Sequence, residues 1–327
     1  MKLATLRSPN PSDRDGRLAV VSRDNRRAVL VGPAVAPTLL RALQSWDRVE
    51  PDLRKLYESL NRESARESFE LNPNDCLAPL PNAPGFYDGS AFLSHVRRAR
   101  EARGDRMPES AKQTPLMYQG VSDNLLAWNA PIDLIDPSYG GDFEGEFGIV
   151  PLDVPRGTPS SEVSPFIALI VLFNDITFRE IVKTEIQTKF GFLQSKPNSS
   201  FAPLAVTPDE LGEDWRDGRI GLDLEVRFND QLFGRPNGRE MHFSFFELTA
   251  HACRTRPLSA GSVIGSGTVS NQEKERGFAC LTEKRFQEVL DGGSATTEWL
   301  QPGDRVRMDC RAEGRSVFGT IDQAAVL

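Results

Sequence analysis

The chain is predicted to be an α+β protein rich in strands, with a small N-terminal module ahead of a larger, strand-dominated body. Three observations predict this. Short apolar runs bounded by Gly, Pro, Asn or Asp outnumber stretches with helical periodicity. Strands and helices show no regular βαβ alternation. The 327 residues exceed the length at which a single core stops growing.

The elements follow in order. Leu18–Ser22 and Arg27–Val31 are apolar runs around the polar Arg23-Asp24-Asn25-Arg26, the pattern of a hairpin. From Val35 to Leu60, leucines recur at helical spacing, first Leu39, Leu40 and Leu43, then Leu53, Leu56 and Leu60. Pro51 is expected to separate two helices there. Asn72 to Pro84 carries Pro73, Pro79, Pro81 and Pro84 without periodicity and reads as a linker. The expected domains are therefore residues 1–75 and 76–327. In the second, strands are predicted at Phe147–Leu152, Ala168–Phe173, Leu222–Phe228, Ser262–Gly265, Arg305–Cys310 and Ser316–Ile321. A helix is predicted over Phe243–Cys253, with Phe246, Leu248 and Ala252 on its buried side. No internal repeat or low-complexity segment is present.

Composition excludes several classes. Hydrophobic residues at 39% and charged residues at 26% are too polar a mixture for a membrane protein. The longest apolar runs, such as Phe166–Phe173, are too short to span a bilayer. A net charge of −7 argues against a nucleic-acid partner. Cys76, Cys253, Cys280 and Cys310 are scattered, with no CxxC pair, as expected of reduced thiols in a cytoplasm. The segment Met1-Lys2-Leu3-Ala4-Thr5-Leu6-Arg7 lacks the apolar stretch of a secretory signal. There is no GxSxG elbow and no P-loop, and Gly265-Ser266-Gly267-Thr268 lacks the glycine spacing of a dinucleotide fingerprint.

Chemistry concentrates in acids placed inside apolar strands. In Gly140-Gly141-Asp142-Phe143-Glu144-Gly145-Glu146-Phe147, Glu144 and Glu146 are two apart and share a face of a strand. Two adjacent carboxylates repel unless a cation lies between them. Ile170-Val171-Leu172-Phe173-Asn174-Asp175 is an apolar strand ending in an acid, and Phe86-Tyr87-Asp88-Gly89 precedes Ser94-His95. An E-x-E pair alone is also the pattern of a solvated strand face, and a terminal acid that of a turn. Together the four acids, with no His or Cys among them, suit a hard divalent cation.

In this order, over roughly residues 80–325, the sequence resembles the fumarylacetoacetate hydrolase family. The resemblance implies that Asp88, Glu144, Glu146 and Asp175 hold Mg²⁺, Ca²⁺ or Mn²⁺. It implies a catalytic His95, seven residues after Asp88, and a catalytic Glu283 in Gly277-Phe278-Ala279-Cys280-Leu281-Thr282-Glu283. Lys196, in Gly191-Phe192-Leu193-Gln194-Ser195-Lys196, and Arg179, in the Asn-Asp-x-x-x-Arg segment, are implied catalytic cations. Arg100, Tyr118 and Thr268 are implied substrate contacts. The family fold implies mixed β-sheets rolled into a barrel-like body behind a small N-terminal domain, and a homodimer.

The implied reaction is hydrolysis of a C–C bond in a β-diketone acid. His95, held by Glu283, takes a proton from water, and Arg179 and Lys196 stabilise the developing oxyanion. Acylpyruvate hydrolysis, oxaloacetate decarboxylation and oxo-acid hydration or isomerisation use the same site, and a non-catalytic ligand-binding homologue would keep the fold and bind metal or ligand without turnover. The His95–Glu283 pair favours hydrolysis, because a decarboxylase needs no water-activating base. The expected partner is a small oxo-acid, with neither nucleic acid nor membrane. Val182 and Ile186 stand where enzymes of the family carry Gln and Tyr. His242 and His251 are read as structural, and Arg97, Arg98 and Arg103 as a solvated helix face.

Overall fold

The computed structural model describes residues 1–327. Its main sheet has eleven strands. Ten lie in the order Phe69–Glu70, Arg27–Leu30, Arg17–Val21, Lys2–Leu6, Leu204–Val206, Ile167–Asn174, Gly145–Pro151, Val263–Gly265, Phe86–Gly89 and Met117–Gln119. Ser200–Phe201 pairs beside Ile167–Asn174. Pairing is antiparallel except between Val263–Gly265 and Phe86–Gly89. A second sheet of six strands is built around Leu224–Phe228, Arg305–Ala312 and Ile321–Val326. The α+β, strand-rich class is thus present.

The barrel-like closure is not. The main sheet is an open path whose end strands, Phe69–Glu70 and Met117–Gln119, do not pair with each other. Closure needs strands long enough to tilt and stagger around a ring, and these have two and three residues.

The sheet is buried on both faces. Ile170 and Leu172 pack with Phe147, Ile149 and residues of the second sheet such as Val226 and Met308. Leu169, Val171 and Phe173 point the other way, toward α1 (Leu39–Leu43) and α2 (Trp46–Asn61). Strands buried on two sides read as continuous apolar runs rather than alternating ones, which is why Ile167–Phe173 has no polar residue. The hairpin of residues 17–30 joins this same sheet, and Leu3, Leu18 and Val20 share a core with Leu169 and Phe173.

Three local expectations are corrected. Pro51 lies inside α2; the break between helices falls at Gln44–Ser45. Pro51 and Asp47, the residue whose carbonyl loses its helical partner, are both exposed, so water solvates the freed oxygen. The expected strand Ser316–Ile321 is instead the edge of two strands, Arg315–Ser316 and Ile321–Val326, broken at Gly319 with φ +78°. The predicted helix exists as α5 (Phe245–Ala252), burying Phe245, Leu248 and Thr249 rather than Phe246 and Ala252. Three further helices, α3 (Leu93–Glu101), α4 (Arg179–Thr188) and α6 (Leu281–Gly292), surround the acids. No helix is long and apolar enough to cross a membrane.

Candidate metal centre and its histidine

Three strands of the main sheet deliver the acids, two of them paired and the third set off from them by Val263–Gly265. Asp88 lies on Phe86–Gly89, Glu146 on Gly145–Pro151, and Asp175 follows Ile167–Asn174. Asn174 fixes the approach: its Oδ1 accepts the Glu144 N–H at 3.0 Å and its amide donates to Gln323. Gly265 leaves room for Asp88, since a Cβ there would fall 2.2 Å from Asp88 Oδ1. Gly267, with φ +75°, presents its N–H to the same oxygen at 3.2 Å.

Asp88, Glu146 and Asp175 place carboxylate oxygens within 4.8 Å of one another, all buried. Both oxygens of Glu146 lack any hydrogen-bond partner. Ionised carboxylates only accept, so Asp88 and Glu146 can bond each other only if one keeps a proton. Burial, and then the Asp175 charge, push Asp88 up to about 7. Burial and the Asp88 charge hold Glu146 well above the usual carboxylate range. Oxygen-only donors with this spacing fit a hard cation, whose ligands at about 2.0–2.6 Å lie at most twice that far apart.

Glu144 sits differently. Its Oε1 accepts from Arg179 and Thr268, each at 2.7 Å, and its Oε2 from Thr177 at 3.1 Å and Lys196 at 2.6 Å. Burial would raise its pKa, but Arg179 and Lys196 outweigh it and hold Glu144 well below the usual range. Lys196 also donates to Asp175 Oδ2, so its ammonium stands between Glu144 and the three-acid cluster. Burial disfavours that charge, yet Asp175 and Glu144 more than offset it and raise the Lys196 pKa. Arg179 also bonds Asp142 Oδ2 at 2.8 Å. Asp142, fully buried, accepts the Leu281 and Thr282 N–H groups at the start of α6.

One segment links the acids to the histidine: the Gly267 N–H reaches Asp88, Thr268 reaches Glu144, and Ser270 reaches Glu283. His95 Nδ1 lies 3.5 Å from Glu283 Oε2, and neither atom has another partner. The gap is long for a hydrogen bond. Glu283 Oε1 is held by Ser270 and by Arg98 Nη1 at 2.7 Å.

The structure therefore gathers Asp88, Glu146 and Asp175, sets Glu144, Lys196, Arg179 and Thr268 against them, and puts His95 beside Glu283. Tyr118, an expected substrate contact, donates its hydroxyl to Asp175 Oδ2 at 2.7 Å. Arg100 is half-buried on α3 and is not drawn into the acid network. Arg98 is corrected: it is 7% exposed, not a solvated face, and also donates to Gln287 and to the Gln272 carbonyl. Sequence reasoning missed Asp142 and Arg98. The signals were an acid at every second position through 142, 144 and 146, and Ser94 and Arg98 four apart on one helical face. His242 bonds the Lys112 carbonyl at 2.9 Å, away from this network.

The fumarylacetoacetate hydrolase C-terminal profile matches residues 86–324, and that of fumarylacetoacetase N-terminal domain 2 matches residues 1–82. The chain is 28% identical over 202 residues to the 2,4-didehydro-3-deoxy-L-rhamnonate hydrolase of Sphingomonas sp. strain SKA58, covering 59% of this chain and 68% of that one. It is 24% identical over 289 residues to fumarylacetoacetase of Bos taurus, covering 74% of this chain and 69% of the relative. It spans 65–69% of the length of the curated relatives it matches. The fold is shared with maleylpyruvate hydrolase of Sphingobium sp. SYK-6, solved in complex with manganese(II) ion and pyruvate: TM-score 0.64, 15% identity, 100% of this chain and 99% of that one. With its C-terminal profile covering most of the sequence, the chain belongs to the fumarylacetoacetate hydrolase family.

Proposed function

We propose that the protein is a metal-dependent hydrolase that cleaves a C–C bond beside a carbonyl in a small oxo-acid of the β-diketone type. One observation carries the reading: Glu146 turns two unpartnered, buried carboxylate oxygens toward Asp88 and Asp175, in a network joined through Gly267–Ser270 to the His95–Glu283 pair. Asp88, Glu146 and Asp175 would hold Mg²⁺, Ca²⁺ or Mn²⁺, with Glu144 behind Lys196 as the further acid. When bound, such a cation supplies Lewis acidity to a carbonyl oxygen.

The chain's own groups divide the remaining work. Glu283, fixed by Arg98 and Ser270, orients the His95 ring through Nδ1 and leaves Nε2 to accept a proton from water. Lys196 and Arg179, buried and charged, provide fixed positive charge where negative charge develops on the substrate. Their anchoring on Glu144, Asp175 and Asp142 means that no reorganisation is needed as that charge forms. A water-activating pair favours hydrolysis over decarboxylation. The homodimer and the cytoplasmic setting belong to the same proposal, drawn from the family.

The test is loss of ultraviolet absorbance from fumarylacetoacetate, acetylpyruvate and oxaloacetate, run in parallel with Mg²⁺ or Mn²⁺ and with a chelator. Cation-dependent loss of a diketone acid is expected, with His95→Ala slower by about 10²–10⁴-fold. Consumption of oxaloacetate alone, or a His95→Ala enzyme as fast as the parent, discards the proposal.

A further inference from the structure

Three donors of different chemistry meet beside His95. Cys280 is fully buried and caps α6, its Sγ accepting the Glu283 N–H at 3.4 Å. A ring nitrogen of His95, a carboxylate oxygen of Glu283 and the Cys280 sulfur lie within 4.8 Å of one another, and none of the other three cysteines belongs to such a cluster. The hydrolytic reading gives this sulfur no task. His95 Nδ1 and Glu283 Oε2 are buried atoms with no hydrogen-bond partner, and Glu283 is only 1% exposed. Their separation of 3.5 Å matches the edge of a tetrahedron drawn with metal–ligand bonds of about 2.0–2.3 Å. Nitrogen, sulfur and one carboxylate oxygen suit a borderline-soft cation, unlike the oxygen-only set of Asp88, Glu146 and Asp175. The outer contacts are built as well: Arg98 and Ser270 hold Glu283 Oε1 and leave Oε2 free. The His95 side chain, 17% exposed, gives an entry path.

We propose that His95 Nδ1, Cys280 Sγ and Glu283 Oε2 form a second metal site, for Zn²⁺ or Co²⁺, whose occupation stops His95 from accepting a proton. The Cys280 proton leaves to solvent as the metal–sulfur bond forms, and thiolate and carboxylate together cancel the divalent charge. The cation takes the Nδ1 lone pair, so the single proton of the neutral ring moves to Nε2. Nε2 is the atom that has to take a proton from water, and as an N–H it only donates. The inhibition rests on the hydrolase reading; the binding site does not.

The experiment titrates Co²⁺ into the full chain in excess Mg²⁺, which keeps the three acids occupied. A near-ultraviolet thiolate-to-cobalt absorption band should grow to saturation and be bleached by Zn²⁺. X-ray absorption of the zinc-loaded protein should show one sulfur at about 2.3 Å among nitrogen and oxygen neighbours. Cys280→Ser keeps an acceptor for the Glu283 N–H. It should retain Mg²⁺-dependent turnover, lose the band, and need at least about tenfold more Zn²⁺ for half-inhibition, since even a lost supporting contact costs a site about 10–100-fold. A parent protein with no sulfur at its zinc overturns the proposal, and that measurement decides alone if Cys280→Ser does not fold. So does a Cys280→Ser protein that keeps the band or the parent's zinc sensitivity, or a sulfur-ligated parent whose turnover is undiminished. Zinc-free turnover of acetylpyruvate by the same preparation separates the two readings. Turnover without the thiolate band removes only the second metal site; the band without turnover of any diketone acid removes only the hydrolase.

Discussion

Arg98→Met tests the arrangement behind His95 most directly. The substitution keeps much of the side-chain volume and removes the cation. Arg98 donates to Glu283 at 2.7 Å, Ser270 at 3.2 Å, Gln287 at 3.1 Å and the Gln272 carbonyl at 2.9 Å, and lies over the Phe278 ring. Without it, Glu283 is a carboxylate 1% exposed with one hydroxyl and one imidazole as neighbours. Removing one partner of a buried pair costs about 3–5 kcal/mol, because the other charge remains buried. At about 2–4 °C per kcal/mol, the melting temperature should fall by roughly 6–20 °C. Turnover should fall by about 10²-fold if the His95 ring shifts by an ångström. Arg98→Lys keeps the charge but not the fork, so it should recover stability more than rate. The assays are calorimetric melting and diketone-acid turnover of the metal-loaded protein. If Arg98→Met melts and turns over like the parent, Arg98 neither stabilises the fold nor positions Glu283.

Three further outcomes follow from the same geometry. In metal-free protein, Asp88 moves from 3.8 to about 7, so the folded chain keeps a proton the unfolded chain has released. Its contribution is full below 3.8 and is lost as pH rises through about 7, by about 4 kcal/mol. Glu146 acts in the same sense and Glu144 in the opposite one, with its loss setting in as pH falls below 4.5. The metal-free melting temperature should therefore fall between about pH 5 and 7, Mg²⁺ should restore it, and Asp88→Asn should flatten the slope; a flat parent profile would contradict this. Glu185 accepts the N–H groups of Leu193, Gln194 and Ser195, just before Lys196. Glu185→Ala should raise KM with a stability loss of only about 1–2 kcal/mol, read by steady-state kinetics and melting; an unmoved KM would show that Lys196 is held without this loop. Pro51→Ala should stabilise α2 by about 1–3 kcal/mol in a denaturant titration, by restoring the bond to the Asp47 carbonyl; a loss of stability would mean that α2 depends on the proline.

What could be read from the chain divides along a physical line. Ile167–Asn174 and Gly145–Pro151 were legible because burial on both faces writes a continuous apolar run. The acids at their ends were legible only as a set, because each alone also fits a turn or a solvated strand face. Glu283 and Arg98 were not legible in the same way. Thr282-Glu283-Lys284-Arg285 has the composition of a surface turn, and Arg97-Arg98-Ala99-Arg100 that of a solvated helix. Both became buried because Asp142 draws in the first turn of α6, and α3 and α6 then close on each other. A buried charge is tolerable only with its partner, and here the partners are 185 residues apart. No local pattern can carry that information, so the sequence alone could suggest Glu283 only through the motif around it. For Arg98 the one hint, its spacing of four from Ser94 on a helical face, names no partner, and at Arg98 the geometry adds most to the reading of the site.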